Sequence, residues 1–462
     1  MNRRRSSINL FLLALDSLSV YRGLLEDSVL RKLRELFIGL EKADIQLRDI
    51  VNDYNDFYYE FARCPGLSLA HHILNLIIFE ENSFSLNAQA IHPSMRDNTL
   101  DQAVSSDLRN LEIIAKLDSK AIKAEIIKCC KLHATGNDPA DILDSDLQSI
   151  LQSLPDWGFS SALFANREPE HVQALKETFL TSPRWEDCLE ELKQFHRQFG
   201  CGIFARSIAF IWERSEGQGY LKCVEQPDPI TLHELVDYHD ERSKVLENTM
   251  QFLKGYPANN VLLYGDRGTG KSSTVKAILN EYHPLGLRMI EIPKAFLADF
   301  PQILRILNNR SQKFILFVDD LVFGDNEENY TSLKAVLEGG LESKTSNILI
   351  YATSNRRHLV KEYFSERAGV QSANRDEEVH AGDSMQEKLS LADRFGINVV
   401  FSSPDQKQYL KIVDGIASHR RLTIDQTTLH KEALQWALWY NGRSARTARQ
   451  FIDWIEGHLA IN

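Results

Sequence analysis

The chain has 462 residues and a formal net charge of −11 at pH 7. With 43% hydrophobic and 25% charged residues, it has the balance of a soluble globular protein rather than of a disordered or membrane-embedded one. The acidic excess argues against a broad surface for nucleic acid or anionic membranes. The length exceeds that of one ordinary hydrophobic core, so we expect two or three domains.

The sequence does not predict export, a membrane span or a cysteine-based site. Three arginines precede the apolar run at residues 8–15, but that run is short and lacks a small-residue cleavage site, which favours an amphipathic first helix. No later segment approaches the roughly 18 apolar residues that a span requires. The six cysteines are dispersed without a C-x-x-C pair, which indicates free thiols in a reducing compartment. We therefore expect a cytoplasmic protein.

Residues 1–200 are predicted to form a mostly helical N-terminal domain, because apolar residues recur there at spacings of three and four. The pair His71-His72 lies in an apolar helical segment without a third ligand, so it predicts structural histidines rather than a metal site. Residues 201–229 combine β-branched and aromatic residues with a Gly-containing turn, which predicts a small hairpin-like connector. A polar group between residues 233 and 241 is interpreted as the solvated face of a helix.

The stretch NNVLLYGDRGTGKSS at residues 259–273 carries the strongest chemical signal. A short apolar strand is followed by the phosphate-loop pattern G-x-x-x-x-G-K-[ST], whose glycines let backbone N–H groups face phosphate oxygens. Lys271 would reach the β- and γ-phosphates, and Ser272 would offer its hydroxyl to Mg²⁺. The residues expected to bind the nucleotide are Gly265, Asp266, Arg267, Gly268, Thr269, Gly270, Lys271, Ser272 and Ser273.

Alternating strand-like and helical segments follow the phosphate loop, which is typical of a parallel sheet covered by helices. The strand-like run KFILFV ends at Asp319 and Asp320, and NILIYATS ends at Asn355. The carboxyl ends of parallel strands form the edge at which α/β sheets bind ligands. There Asp319 would hold Mg²⁺ and Asp320 would act as general base on a water molecule. Asn355 would hold that water or the γ-phosphate, or alternatively cap the next helix.

The succession GDRGTGKS, FILFVDD, YATSN, LADRFG and GRSARTARQF resembles the AAA+ ATPases, and residues 200–462 resemble one bacterial AAA+ group described only as a domain of unknown function. The resemblance implies that Lys271 and Ser272 belong to Walker A, Asp319 and Asp320 to Walker B, and Asn355 to sensor 1. It further implies two arginines with catalytic roles. Arg394 matches the arginine finger that reaches a neighbouring subunit's nucleotide, and Arg446 matches sensor 2, with Arg443 as a weaker candidate.

The sequence departs from the AAA+ pattern at two places. Walker B ends Asp-Asp rather than Asp-Glu, so the base is one methylene shorter, and catalysis is sensitive to displacements of about 1 Å. Residues 365–388 form a charged insertion poor in apolar residues, which predicts a surface loop or, alternatively, a subunit or substrate contact. Residues 230–403 are predicted to form the α/β nucleotide-binding domain and residues 404–462 its helical lid. The lid aromatic residues Trp436, Trp439, Tyr440 and Trp454 are interpreted as core rather than as a stacking platform for nucleic acid.

The expected protein is an α/β P-loop NTPase of AAA+ type with a parallel sheet and a helical lid, preceded by the helical domain. We expect it to bind Mg²⁺ and ATP at the interfaces of a homo-oligomer and to hydrolyse ATP while remodelling an unidentified protein partner. Two alternatives stay open. One is an ATP-binding switch with little turnover, motivated by Asp320, and the other is a nucleic-acid loader, which the acidic balance disfavours.

Overall fold

The structure, a computed structural model, describes residues 7–42, 46–64, 68–90, 98–133, 149–157, 168–308, 310–321, 333–334, 337, 346–355, 392–440 and 442–461. The chain divides into two compact units, the N-terminal unit of residues 1–206 and the C-terminal unit of residues 207–462. No helix among the described residues is both long and apolar enough to cross a membrane. The insertion predicted at residues 365–388 lies outside the described residues.

The N-terminal unit is helical in its described part. Its helices are α1 (Ser7–Asp16), α2 (Ser28–Glu41), α3 (Leu47–Arg63), α4 (Leu69–Phe79), α5 (Ser83–Ala88), α6 (Asp101–Ala115), α7 (Ser119–His133), α8 (Glu170–Thr181), α9 (Leu189–Phe199) and α10 (Gly202–Arg206). The apolar residues at helical spacing face inward and form one hydrophobic core. Burial of these apolar stripes, rather than helix propensity, is what stabilises such short helices.

Two carboxylates, the buried Asp107 and the half-buried Asp27, organise the chain around α1 and α2. Asp107 accepts hydrogen bonds from the backbone N–H groups of residues 19–21, between 2.8 and 3.1 Å long, so a turn that would otherwise bury unpaired donors is satisfied. Asp27 caps α2 by accepting from Val29 and Leu30. His72 Nε2 lies 2.9 Å from the same Asp27 Oδ1, so this histidine serves the packing of the unit.

The C-terminal unit is built on a seven-stranded sheet with the order β2-β1-β4-β5-β6-β3-β7. The strands are β1 (Ala209–Ser215), β2 (Gln218–Cys223), β3 (Val261–Gly265), β4 (Leu287–Glu291), β5 (Lys313–Val318), β6 (Ile348–Ser354) and β7 (Ile397–Phe401). All neighbouring strands are parallel except the hairpin pair β1 and β2. Because β3, β5 and β6 end at one edge, the residues that follow them are brought together.

The hairpin of β1 and β2 is part of this sheet rather than a separate connector, because β1 pairs in parallel with β4. Residues Gly202–Arg206, which we included in the predicted hairpin-like connector of residues 201–229, form α10 instead. The hairpin is anchored by Asp299, which accepts from Trp212 Nε1 at 2.8 Å and from the guanidinium of Arg214. A charge-assisted bidentate contact of this kind fixes orientation as well as position.

Helices cover the sheet and form the lid. They are α11 (His239–Leu253), α12 (Lys271–Tyr282), α13 (Phe300–Leu307), α14 (Gln406–His419), α15 (Gln426–Trp439) and α16 (Ala445–Ile461), with short 3-10 helices at Leu232–Glu234, His283–Leu285, Lys294–Asp299 and Ala392–Arg394. The last three helices form the predicted lid. The interpretation of its aromatic residues as core is wrong for three of them, because Trp439, Tyr440 and Trp454 are 67%, 48% and 44% exposed.

Candidate functional site

The phosphate loop connects β3 to α12 and takes the shape that its glycines allow. Gly265 and Gly268 have φ values of 132° and 77°, in the region that favours glycine. Both are also closely covered: a Cβ on Gly265 would lie 2.1 Å from the carbonyl oxygen of Phe401, and one on Gly268 would lie 2.9 Å from Ser444 Oγ. The pattern recognised in the sequence is therefore required by backbone conformation and by close packing together.

The Lys271 side chain is buried beneath this loop, at 6% exposure. Its Nζ donates to the carbonyl oxygens of Gly265 and Asp266 at 3.0 and 2.6 Å, and to Asn355 Oδ1 at 3.3 Å. Burial lowers the pKa of Lys271 to about 8, against the opposing attraction of the carboxylates at Asp266, Asp319 and Asp320. The site thus holds a poorly solvated cation close to the backbone N–H groups of the loop, which is an environment that favours anions.

Asp319 follows β5 directly and receives its hydrogen bonds at a single oxygen. Oδ1 accepts from Ser272 Oγ at 2.6 Å, from Thr353 Oγ1, and from the backbone N–H of Asp320 at 3.1 Å. A hydroxyl and a carboxylate side by side are oxygen ligands of the kind that Mg²⁺ takes. Sequence reasoning missed Thr353, which stands beside Ser354 at the polar end of β6.

Asp320 is held differently, because both of its carboxylate oxygens have partners. Asn355 Nδ2 donates to Oδ1 at 2.7 Å, and Lys294 Nζ lies 3.1 Å from Oδ2. Its backbone is left-handed, with φ of 51°, and its N–H donates to Thr353 Oγ1 at 2.9 Å. Non-glycine residues in this region cost on the order of 1 kcal/mol, and such outliers cluster at functional sites. Lys294 was not anticipated from the sequence.

The two arginines assigned by resemblance lie in different places. Arg446, in the first turn of α16, lines the same cavity as the phosphate loop, and its backbone N–H donates to the Gly268 carbonyl at 2.9 Å. Arg394 ends a short 3-10 helix just before β7 and does not line this cavity as far as the described residues define it. Neither does Arg443. The Asp266 carboxylate accepts from the backbone N–H of Ser403 at 2.8 Å, so it fixes the loop.

The cavity has a volume of about 440 Å³, within the range of small-molecule sites. Its lining includes residues of the phosphate loop and of the sheet edge, namely Arg267, Gly268, Thr269, Gly270, Lys271, Ser272, Ser273, Asp319, Asp320, Thr353 and Asn355. Glu234, Leu235, Val236, Arg242, Ile412 and Ile416 also line it. The site therefore combines polar groups at the phosphate loop with apolar side chains from the segment before α11 and from lid helix α14.

The interpretation of residues 233–241 as a solvated helical face is correct for the exposed His239 and Asp240, at the start of α11, and wrong for the segment before α11. Asp237 and Tyr238 are left-handed, with φ of 64° and 55°, and α11 begins only at His239. Asp237 is buried and pairs with Lys411 of α14 at 3.1 Å, while Tyr238 OH donates to the Ser402 carbonyl at 2.6 Å. Two consecutive strained residues, held by partners elsewhere in the unit, turn the chain toward the cavity.

Solved structures similar to this chain include RuvB proteins. A RuvB point mutant shares 17% sequence identity at a TM-score of 0.36, covering 50% of this chain and 66% of that one. The Thermotoga maritima RuvB Holliday junction branch migration motor shares 15% identity at a TM-score of 0.31, covering 49% and 72%. The chain thus spans slightly less than two thirds of the first of these. A comparison with curated proteins gives no match.

The described part of the C-terminal unit has a phosphate loop after an interior strand of a mostly parallel sheet, an acidic edge and a three-helix lid, which is the P-loop NTPase architecture. Together with its motif series it resembles the AAA+ superfamily. The profile of a family described as "Protein of unknown function (DUF815)" matches residues 205–459, more than half of the chain. The chain therefore belongs to the DUF815 family.

Proposed function

We propose that this protein is an ATPase that binds Mg-ATP at the interfaces of a homo-oligomer and hydrolyses it to remodel a macromolecular partner. The observation that carries the proposal is the convergence of Lys271, Asp319, Asp320 and Asn355 on one cavity beside the phosphate loop. A cation, a paired hydroxyl and carboxylate, a second carboxylate and an amide are the parts that phosphoryl transfer to water requires. We place the protein in the cytoplasm.

The site residues divide the work as follows. Lys271 and the loop N–H groups would hold the phosphates, and Ser272 and Asp319 would hold Mg²⁺, which supplies charge neutralisation on the phosphate oxygens. The described donors to Asp319 all meet Oδ1, so this carboxylate would be held in place as a ligand of the ion. Asp320 would accept a proton from the attacking water. Asn355, whose Nδ2 donates to Asp320 Oδ1 at 2.7 Å, would orient both the carboxylate and the water.

The first test is Mg-dependent ATP binding by the parent protein and by Lys271→Ala, measured by titration calorimetry. We expect the variant to lose binding, because the buried cation is removed from the phosphate end. Lys276→Ala is the matched control, since Lys276 lies on the same helix, pairs with Asp228 at 3.4 Å and does not line the cavity in its described part. A parent that does not bind Mg-ATP, or a Lys271→Ala variant that binds equally well, would refute the proposal.

A second candidate is a switch in which ATP binding changes assembly while turnover stays negligible. The observation that favours it is Asp320, whose two oxygens are both engaged by Asn355 and Lys294 and whose side chain is one methylene shorter than a glutamate. Turnover should be measured for the parent and for Asp320→Glu at concentrations that support oligomers. Saturable binding with no turnover in the parent supports the switch, whereas steady hydrolysis by the parent eliminates it.

A further inference from the structure

Thr353 makes hydrogen bonds to three consecutive residues that follow β5. Its hydroxyl donates to Asp319 Oδ1 and accepts from the backbone N–H of Asp320 at 2.9 Å. Its carbonyl oxygen accepts from the N–H of Leu321 at 2.6 Å. Thr353 is 2% exposed, so these hydrogen bonds form away from competing water. One buried residue thus holds the acid expected to bind the ion, the acid expected to act as base, and the residue after them.

The place of Thr353 in the sheet makes it a rigid support. It lies near the end of β6, an interior strand, and pairs with Leu263 of β3 on one side. On the other side the regular pairing of β6 with β5 ends at Ala352 and Val318, and the hydrogen bonds of Thr353 to the residues after β5 continue it. Its branched side chain also has few rotamers, which restricts the direction of the hydroxyl.

The left-handed backbone of Asp320 requires a support of this kind, because a non-glycine residue keeps such a conformation only where its surroundings over-determine it. The N–H groups of Asp320 and Leu321 both donate to Thr353. Leu321 is fully buried, so the backbone is held before and after the strained residue. In this conformation the Asp320 carboxylate lies beside Asn355, while the Asp319 carboxylate remains on the Thr353 hydroxyl.

A hydroxyl group is suited to serve both acids. It has one proton and two lone pairs, so an oxygen that accepts from the Asp320 N–H directs its own proton to Asp319. Resting on the ATPase function proposed above, we propose that Thr353 is a positioning residue of this site. It acts through the two acids, by fixing the carboxylate that would hold Mg²⁺ relative to the carboxylate that would take the proton from water.

The test uses Thr353→Val, which keeps the shape of the side chain and removes the hydroxyl. Calorimetry gives the ATP dissociation constants in EDTA and in Mg²⁺, and their ratio is the Mg²⁺ gain. In EDTA we expect the variant to stay within about threefold of the parent, because Lys271 and the loop are unchanged. The Mg²⁺ gain should fall by about 10- to 100-fold, as for other residues that orient a metal ligand. A displaced base should lower kcat by about 10- to 100-fold.

Thr353→Ser restores the hydroxyl and should recover most of the Mg²⁺ gain and of the turnover that Thr353→Val loses. Thr249→Val is the matched control, since Thr249 is also buried and its hydroxyl makes two hydrogen bonds of 2.7 Å, with the Val245 carbonyl and the Tyr351 hydroxyl. Thr249 does not line the cavity in its described part. This control should melt at a lower temperature and keep the Mg²⁺ gain and kcat of the parent. Thr353→Ala carries the comparison if Thr353→Val does not fold.

An unchanged Mg²⁺ gain and kcat in Thr353→Val would overturn the inference. Equal losses of affinity in EDTA and in Mg²⁺ would also overturn it, because the substitution would then have damaged the phosphate loop rather than the acids, as would a Thr353→Ser variant no better than Thr353→Val. A parent that binds Mg-ATP without turnover would refute the ATPase instead. The Mg²⁺ gain then decides the inference alone: its loss in Thr353→Val and recovery in Thr353→Ser support it, and an unchanged gain overturns it.

Discussion

Asp319 and Asp320 are neighbours in sequence with opposite environments. Asp319 receives three hydrogen bonds at one oxygen from the protein, which holds it in a single orientation as an ion ligand requires. Asp320 is more exposed, and its carboxylate faces Asn355 and Lys294. Their partners thereby suit Asp319 to hold an ion and Asp320 to act as a base. The ion pair with Lys294 restrains the carboxylate of the proposed base.

We predict that Lys294→Met raises the rate of ATP hydrolysis by roughly two- to tenfold while leaving ATP affinity within about threefold, because the Asp320 carboxylate, released from this contact, is free to turn toward the attacking water. Steady-state turnover and calorimetric binding measure the two effects separately. Lys222→Met is the control, since Lys222 pairs with Glu213 on the hairpin at 2.9 Å. A lower turnover in Lys294→Met would show that the lysine assists catalysis.

His196 predicts an acid-sensitive component of stability in the N-terminal unit. It is fully buried, and burial lowers its pKa to about 4, with only a small opposing effect from the carbonyl of Gly200 at 3.1 Å. Between pH 6.5 and 4 the unfolded chain binds a proton that the folded chain does not, so the free energy of unfolding falls as the pH falls through this window. The loss approaches about 3 kcal/mol at its lower end.

The measurement is urea unfolding of parent and His196→Gln at several pH values. The difference between their unfolding free energies should be constant above pH 7 and should shift in favour of the variant as the pH falls toward 4. Comparing slopes with pH removes the constant cost of the substitution itself. A difference that does not vary with pH would mean that His196 has the same pKa in the folded and in the unfolded chain, which would contradict the prediction.

At the scale of elements, the features that could be predicted from the sequence are those that local residue patterns determine. The phosphate loop, the acids after β5, Asn355 after β6 and three lid helices follow from apolar periodicity and from glycine and capping residues. Long-range contacts were not predictable. Tyr238 is left-handed, and its hydroxyl donates to the carbonyl of Ser402, 164 residues away. The hairpin joins the sheet because β1 pairs with β4. The prediction that the lid tryptophans are core residues was wrong for Trp439 and Trp454, because aromatic residues are buried only on average.

The lid and the strained segment meet at Gly415 of α14. A Cβ at this position would lie 2.5 Å from Val236 Cγ2, so Gly415→Ala should lower the free energy of unfolding by about 1–3 kcal/mol and weaken ATP binding. Gly457→Ala, in lid helix α16 where a Cβ would meet nothing within 4 Å, should instead stabilise by about 0.5–1 kcal/mol.

Adding Val236→Ala to Gly415→Ala should restore most of the loss, giving a coupling of about 1 kcal/mol or more in a double-mutant cycle. Substitution by alanine is thus expected to lower the free energy of unfolding at Gly415 and to raise it at Gly457. Additive effects of the two substitutions would contradict the close contact.

At the scale of the molecule, the two units have separate cores, and domains with their own cores fold independently as a rule. We predict that a fragment of residues 207–462 unfolds cooperatively and binds Mg-ATP within about threefold of the full chain, because every described residue lining the cavity lies in it. Circular dichroism and calorimetry test both points. Loss of binding in a folded fragment would mean that residues 1–206 take part in the site.

Catalysis shared between subunits is a property of the assembly. Since Arg394 does not line the cavity of its own chain in the described part, we expect it to act on a neighbour's nucleotide, where a rigid fork of donors would stabilise the developing charge. Arg394→Ala and Asp320→Asn should each be inactive alone and should regain part of the activity when mixed, because some interfaces then carry both intact residues. No recovery at any mixing ratio would exclude a finger acting in trans.

The hydrogen bond from the Arg446 backbone N–H to the Gly268 carbonyl, 2.9 Å long, joins the lid to the phosphate loop without a side chain. Substitutions at 446 other than proline retain this donor, so lid and loop stay linked whichever residue stands there. The side chain at position 446 can therefore be changed, and with it the charge beside the phosphate loop, while the backbone contact between lid and loop is kept.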